Sequence, residues 1–250
     1  MRIGLISDIH GNLHALEAVL KVLEEESVDL TLCAGDLVVY GAYPAEVIKL
    51  LRERGIPSVA GNYDHAVAFG LQRASTKPSS LLNEPIKQAA LRWTQTALTK
   101  SCKRYLAGLP WRMDYRLEGR RIAVIHAGLE ALDEFLTPQD APALHALVGR
   151  MEADVVVLGH THLPFTFLAG EVLVINPGAV GRSLDTDPRA SFALLDSTQL
   201  SIQHFRITYD IERAARAIAA SGMPREVAEM VRRGLRRVEQ LEEDYAASER

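Results

Sequence analysis

The chain reads as a layered α/β protein, and three observations predict this. Short β-branched runs alternate with amphipathic helices over the first sixty residues. A strand-free helical stretch follows, and strand patterning then resumes at close intervals from residue 121 to residue 206. Residues 2–7 are the first predicted strand. Leu13, Leu16, Val19, Leu20 and Leu23 then recur at helical spacing behind Asn12, a residue type whose side chain accepts from the unpaired amides of a first turn. Residues 29–34 are the second strand. Pro44 opens a helix to about Arg54 with Val47, Leu50 and Leu51 as its apolar stripe, and residues 56–60 are the third strand.

Residues 66–110 read as helices broken at Lys77-Pro78 and at Gly108-Leu109-Pro110. Strands are predicted at 121–126, 154–158, 165–168, 171–175, 192–195 and 202–206, the later ones spaced closely enough for antiparallel hairpins. From Asp210 the chain is helical again, with Gly222-Met223-Pro224 separating two helices and a charged last helix to about Tyr245. The expectation is a single domain over 1–250 with a helical insert at about 66–110 and C-terminal helices at about 210–246.

Composition sets bounds on function. With 28 basic and 32 acidic residues the net charge is −4, which excludes wholesale binding of nucleic acid by bulk charge. Two cysteines, Cys33 and Cys102, are too few for a disulfide scaffold or a thiolate zinc module, and fit a reducing compartment. No apolar stretch approaches the roughly 20 residues of a spanning helix, and polar residues interrupt the N-terminus by Ser7 and Asp8. A cytoplasmic location without membrane contact is therefore expected.

Hard ligands recur where predicted strands end: Asp8-Ile9-His10, Gly35-Asp36, Gly61-Asn62-Tyr63-Asp64, His126, and Gly159-His160-Thr161-His162. Ligands of open α/β sheets bind outside the carboxyl ends of strands, so these five loops should converge on one crevice. Carboxylate, amide and imidazole without thiolate favour Mn, Fe, Zn or Ni. Seven candidates are too many for one ion unless a carboxylate is shared, and two divalent ions can clamp the attacking and leaving oxygens of a phosphoryl centre.

In that order, Asp-x-His, Gly-Asp, Gly-Asn-x-Asp, His-Ala-Gly and Gly-His-Thr-His resemble the calcineurin-like metallophosphoesterase superfamily. SDIHGNLHALEAVL, GDLVVYGAYPAEV and INPGAVG are similar to its small bacterial and archaeal branch of phosphodiesterases and diadenosine tetraphosphatase relatives, over residues 1–196. The resemblance implies a four-layer α/β/β/α sandwich. It places Asp8, His10 and His162 on one metal ion, Asn62, His126 and His160 on a second, and Asp36 between them. It further implies attack by a metal-bridging hydroxide on a small phosphorylated substrate, a nucleotide among the options. Asn12, at the first helix, and Arg182, in the glycine-rich Asn176–Arg182 turn, become candidates for substrate phosphate.

One position departs from the family pattern. Many members carry histidine third in Gly-Asn-His-Asp; here it is Tyr63, a poorer proton donor at neutral pH. His65 is a candidate substitute, and Asp64 a candidate for orienting its neighbours. The departure favours diesters or anhydrides over monoesters with poor leaving groups.

Plainer readings stand beside these. Asp8, Asp36 and Asn62 are also what turns use. His14 lies four residues after His10 but reads as exposed or capping, because His10 precedes the helix. His145 and His204 lack companions, and Cys33 reads as buried and inert. Arg232, Arg233, Arg236 and Arg237 sit among acids and read as a solvated helix or a homo-oligomer contact, with no strong nucleic-acid signal. The insert carries +6, which suits either a solvated face or attraction of an anionic substrate; Trp93 and Trp111 in and beside it suit packing or base stacking. The leading expectation is a metal-dependent phosphoric ester hydrolase acting on phosphodiesters or nucleotide anhydrides. The alternatives are a scaffold that kept the fold without turnover and a protein serine/threonine phosphatase.

Overall fold

The computed structural model describes residues 1–76, 83–237 and 239–240. The chain runs β1 (Arg2–Ile6), α1 (Leu13–Glu25), β2 (Leu30–Cys33), α2 (Pro44–Glu53), α3 (Asn62–Phe69), α4 (Asn83–Ala97), α5 (Lys100–Ala107), β3 (Arg112–Leu117), β4 (Arg120–Ile125), a 3-10 turn (Pro138–Asp140), α6 (Ala141–Val148), β5 (Val155–Val157), β6 (Phe165–Ala169), β7 (Val172–Asn176), β8 (Ala190–Asp196), β9 (Ser201–Ile207), α7 (Ile211–Ala220) and α8 (Arg225–Arg233).

Alternation along the strands decides the layers. Ile3 and Leu5 of β1 face Ile122 and Val124 of β4 and Val155 and Val157 of β5 in one apolar interior, while Ile6 turns to the opposite side, where α1 and α2 contribute Leu16, Val19, Val47 and Leu51. Ala123, Ile125 and Val156 likewise turn outward onto Leu144 and Leu147 of α6. Two sheets therefore pack face to face with helices outside both, as the four-layer expectation requires. One sheet has the order β2-β1-β8-β9 and the other β3-β4-β5-β7-β6. The parallel pair β1–β2 lies at one side of the first sheet, whose central pair β1–β8 is antiparallel; the parallel pairs β4–β5 and β5–β7 form the centre of the second, and β6–β7 and β8–β9 are the expected antiparallel hairpins. Among the described residues no helix is long and apolar enough to cross a membrane.

Four local readings are corrected. The third predicted strand is reduced to a single bridge between Cys33 and Ser58, because Pro57 has no amide to donate and offers only its carbonyl to Cys33. Residues 112–117, RMDYRL, form edge strand β3 although their charges hid the pattern; Asp114 and Arg116 face solvent. The motif at Asn62 is a helix start rather than a strand-end loop, so the first helix after β2 and α2 begins before residue 66. The last charged helix is interrupted: α8 stops at Gly234 in a left-handed cap, and the part of the expectation beyond residue 240 lies outside the described residues.

Candidate metal centre

The carboxyl ends of the strands meet at one rim, and the loops there are laced together by their backbones. Asp8 N–H donates to Gly35 O (2.9 Å), His10 N–H to Asp36 O (2.9 Å), Gly159 N–H to His126 O (2.9 Å) and Gly181 N–H to Asp8 O (3.0 Å). The chain turns so tightly here that Asp8, His10, Asp36, His160 and His162 all hold positive φ, between 49° and 66°. Left-handed backbone is uncommon for side-chain-bearing residues, and it clusters at sites that the surrounding structure over-determines. Gly61 is required for a related reason, since a Cβ there would fall onto the Asp36 carboxylate.

All seven predicted donors come together. Ligating atoms of Asp8, His10 and His162 lie within 4.8 Å of one another, and so do those of Asp8, Asp36 and His126. His162 Nε2 is 3.3 Å from Asp8 Oδ1, while His10 and His126 Nε2 lie 3.7 and 3.5 Å from Asp36 Oδ2. Asn62 Oδ1 is 3.1 Å from both His126 Nε2 and His160 Nδ1, its amide nitrogen being held by Ala74 O at 3.0 Å.

Carbonyl partners set the tautomers. Nδ1 of His10 faces Val38 O (3.1 Å), that of His126 faces Ala34 O (2.7 Å) and that of His162 faces Arg182 O (2.5 Å). A carbonyl only accepts, so each Nδ1 carries the proton and each Nε2 presents a lone pair to the crevice. The Nε2 atoms of His10 and His162 are 3.1 Å apart. Two lone pairs at that distance repel unless a cation lies between them, so the donor set fits divalent metal.

Electrostatics agree. Burial pushes the Asp36 and Asp64 carboxyls up to about 7, with the Asp36 charge adding to the effect on Asp64, and burial together with Asp36 raises Asp8 well above its usual range. Burial lowers His126 to about 4 and holds His10 and His162 well below an ordinary histidine. The imidazoles thus resist protonation, as metal ligands should, and the crowded carboxyls lack a positive charge that would favour their ionised form.

The remaining candidates separate. Asp64 accepts from the amides of Leu37 (2.9 Å) and Gly61 (3.0 Å) and so fixes the loop of Asp36, while Tyr63 N–H holds Asp36 Oδ1 at 2.9 Å. The Tyr63 ring lines the cleft, but His65 turns away and packs on Phe69 and Trp111. Asn12 spends its side chain inside the protein, accepting from Ala15 N–H as the α1 cap and donating to Gly181 O and the Tyr209 hydroxyl. Arg182 does face the cleft. His14 packs on Tyr43, Cys33 is buried with its thiol pushed up to about 12 by desolvation, and the Trp93 indole donates to Ser221 O.

A cleft of about 660 Å³ opens above the donors, walled by Arg73 and Lys87 of the insert, Asp133, Phe135, Arg182, Arg236 and Arg237. Part of the insert's charge therefore faces the site, although Lys77 lies outside the described residues. Sequence reasoning missed Tyr40, Phe135, Arg236 and Arg237 as cleft residues. Gly234 turns the chain after α8 back over the cleft, where the Arg236 guanidinium lies 4.8 Å above the Phe135 ring. Of the four arginines read as a solvated helix, Arg236 and Arg237 are thus cleft wall, while Arg232 pairs with Glu212 and Glu229 on α7 and α8; only the Gly234 turn could have signalled the difference.

Residues 1–199 match the family model for the calcineurin-like phosphoesterase superfamily domain. The chain is 30% identical to the phosphodiesterase YfcE of Escherichia coli over 81% of its own length and 91% of that protein's. An uncharacterized protein of Methanocaldococcus jannaschii is 29% identical over 89% of this chain and 93% of its own. A metallophosphoesterase crystal structure from Sphaerobacter thermophilus superimposes with a TM-score of 0.77 at 30% identity, covering 94% of this chain and 99% of that one. Sequence, architecture and donor set thus agree, and the chain belongs to the calcineurin-like phosphoesterase superfamily.

Proposed function

We propose that this metal-dependent phosphoester hydrolase cleaves phosphodiester or nucleotide phosphoanhydride bonds at a centre of two divalent ions. Asp8, His10 and His162 hold one ion, Asn62, His126 and His160 the other, and Asp36 is shared, with Mn, Fe, Zn or Ni suiting the donors. The observation that carries this reading is the convergence of Nε2 lone pairs and buried carboxylates, with His10, His126 and His162 each pinned through Nδ1 to a carbonyl. Such ions, when bound, activate water at neutral pH and neutralise charge on phosphoryl oxygens.

The chain supplies the rest. Asp64 and the Tyr63 amide orient the Asp36 loop. The laced backbone holds the donors in place without reorganisation during the reaction, which is where preorganised sites gain rate. The basic cleft attracts a small phosphorylated substrate, nucleotides included. Free cysteines suit a cytoplasmic setting, and a homo-oligomer is compatible with the surface.

The test is a panel of bis(p-nitrophenyl) phosphate, dinucleoside polyphosphates, cyclic nucleotides, monoesters and phosphopeptides, assayed with each metal and after chelation. Metal-dependent turnover of a diester or anhydride is expected. Stoichiometric metal without turnover of any substrate overturns the reading in favour of a scaffold, and preference for phosphopeptides overturns it in favour of a protein phosphatase.

A further inference from the structure

Arg182 is 95% buried, being 5% exposed, and it lines the cleft beside His162. Its guanidinium carbon lies 4.2 Å above the Tyr40 ring, yet Nε and one terminal nitrogen have no hydrogen-bond partner, and no carboxylate stands within ion-pair distance among the described residues. A buried guanidinium without an anion is costly, and proteins keep one where a ligand brings the anion.

The platform under it is itself held at a cost. Val39 and Tyr40 both adopt left-handed backbone, φ 74° and 68°, which for a β-branched valine is a strained conformation. That turn aims the Tyr40 ring inward. Its hydroxyl is hydrogen-bonded to the Tyr63 hydroxyl, the two rings meet edge to face at 5.1 Å, and both stand edge-on against His10. The phenol at position 63 is therefore engaged with Tyr40.

We propose that Arg182 is the phosphate receptor of this site, that Tyr40 and Tyr63 are its positioning residues, and that the preferred substrates are esters and anhydrides whose leaving group departs without a proton from Tyr63. This rests on the hydrolase reading above. On the cleft wall the guanidinium offers a permanent charge and N–H donors to phosphoryl oxygens, neutralising the anion without transferring a proton. The oxygen of a water molecule forms the new P–O bond, its protons pass to solvent, and the P–O bond to the leaving group breaks with both electrons on that group's oxygen. Aryl oxides and phosphate groups carry that charge well, and simple alkoxides do not.

The experiment measures inorganic phosphate binding by calorimetry to the Mn-loaded protein, alongside kcat and KM on aryl phosphodiesters from nitrophenyl to phenyl. Arg182→Met should weaken phosphate binding roughly 10- to 100-fold, the value of charge-assisted hydrogen bonds. Arg182→Lys should recover only part of it. Tyr40→Leu should raise KM more than it lowers kcat, and Tyr40→Phe, which keeps the ring under the guanidinium, should restore most of the binding. Tyr63→His should flatten the dependence of kcat on the leaving group. Wild-type phosphate affinity in Arg182→Met overturns the receptor assignment. A steeper leaving-group dependence in Tyr63→Phe overturns the leaving-group half, because it would mean the phenol donates a proton. Phosphate binding that depends on Arg182 without turnover in any variant leaves the receptor standing and refutes the hydrolase reading instead.

Discussion

Between the two sheets, and again at the rim where their strands end, side chains are buried almost completely and to opposite effect. Ile3, Leu5, Val155 and Val157 in the interior are as inaccessible as Asp8, Asp36, Asp64 and His126 at the rim. Each large apolar side chain inside contributes on the order of 1.5–3 kcal/mol by leaving water. The rim does the reverse: carboxylates lose hydration, imidazoles are held unprotonated, and five donors sit in left-handed backbone. The difference teaches that the sandwich interior stabilises the protein, while the rim spends part of that stability on a site already shaped for cations.

The sharpest way to break the comparison is Asp36→Asn. Activity should fall by more than roughly 100-fold, beyond what loss of an outer partner costs at a metal site. Bound metal, measured by elemental analysis, should fall with it. The metal-free variant should unfold at no lower temperature than the metal-free parent, because a buried charge has been removed; a clear loss of metal-free stability would mean that Asp36 belongs to the stabilising half.

Phe192→Ala tests apolar burial away from the rim, on the helix-covered face of the first sheet, where Phe192 shares a cluster with Leu16 and Val19. Phe192 is fully buried and stacked on Phe205 at 4.8 Å. Urea denaturation should show a loss of about 3–5 kcal/mol, with metal stoichiometry retained in the folded fraction. A loss below about 1 kcal/mol would show that this packing relaxes freely.

Gly61→Ala probes how closely the rim is fitted. The added methyl must displace the Asp36 carboxylate or the α3 start, so turnover should drop by roughly 100-fold while the fold persists by circular dichroism. Unchanged turnover would contradict the close approach.

The smallest effect is on the surface. Glu118, held down at about 2 by hydrogen bonds from the N-terminal amine, Ser197 and Thr198, and Asp187, held at about 2 by Arg189, have folded pKa values below their unfolded ones. Their stabilisation is therefore complete above the ordinary carboxylate range and is lost as pH falls from about 4 towards about 2. Glu118 is exposed and Asp187 half-buried, so Glu118→Gln should only slightly reduce the acid dependence of the melting temperature, and added salt should shrink the difference. A large shift would place Glu118 among the principal determinants of stability.

Local chemistry made much of this legible. The Asn12 cap appears because α1 begins immediately after it, and strand and helix periods around residues 2–54 and 154–207 follow from which face is buried. Six of the seven donors stand out because they sit where a strand stops, and Asn62 because it opens a helix directly behind Gly61. Residues 56–60 look like a strand until Pro57 meets its neighbour, and β3 looks too charged for one until it becomes an edge. His65 and Tyr63 are two residues apart on α3, and only the packing of that helix shows that one points to Trp111 and the other into the cleft.

By itself the sequence determined the α/β alternation, the order of the donor loops and the imidazole–carboxylate character of the centre, because these depend on residue type and short-range spacing. The tertiary structure alone decided that Asn12 is consumed as a cap, that Arg236 and Arg237 return over the cleft, and that Arg182 rests on Tyr40 with no carboxylate paired to it among the described residues. The reason is physical. A side chain's identity is local, but its free hydrogen-bonding capacity is whatever distant neighbours leave unused, and those neighbours are chosen by the packing of the two sheets.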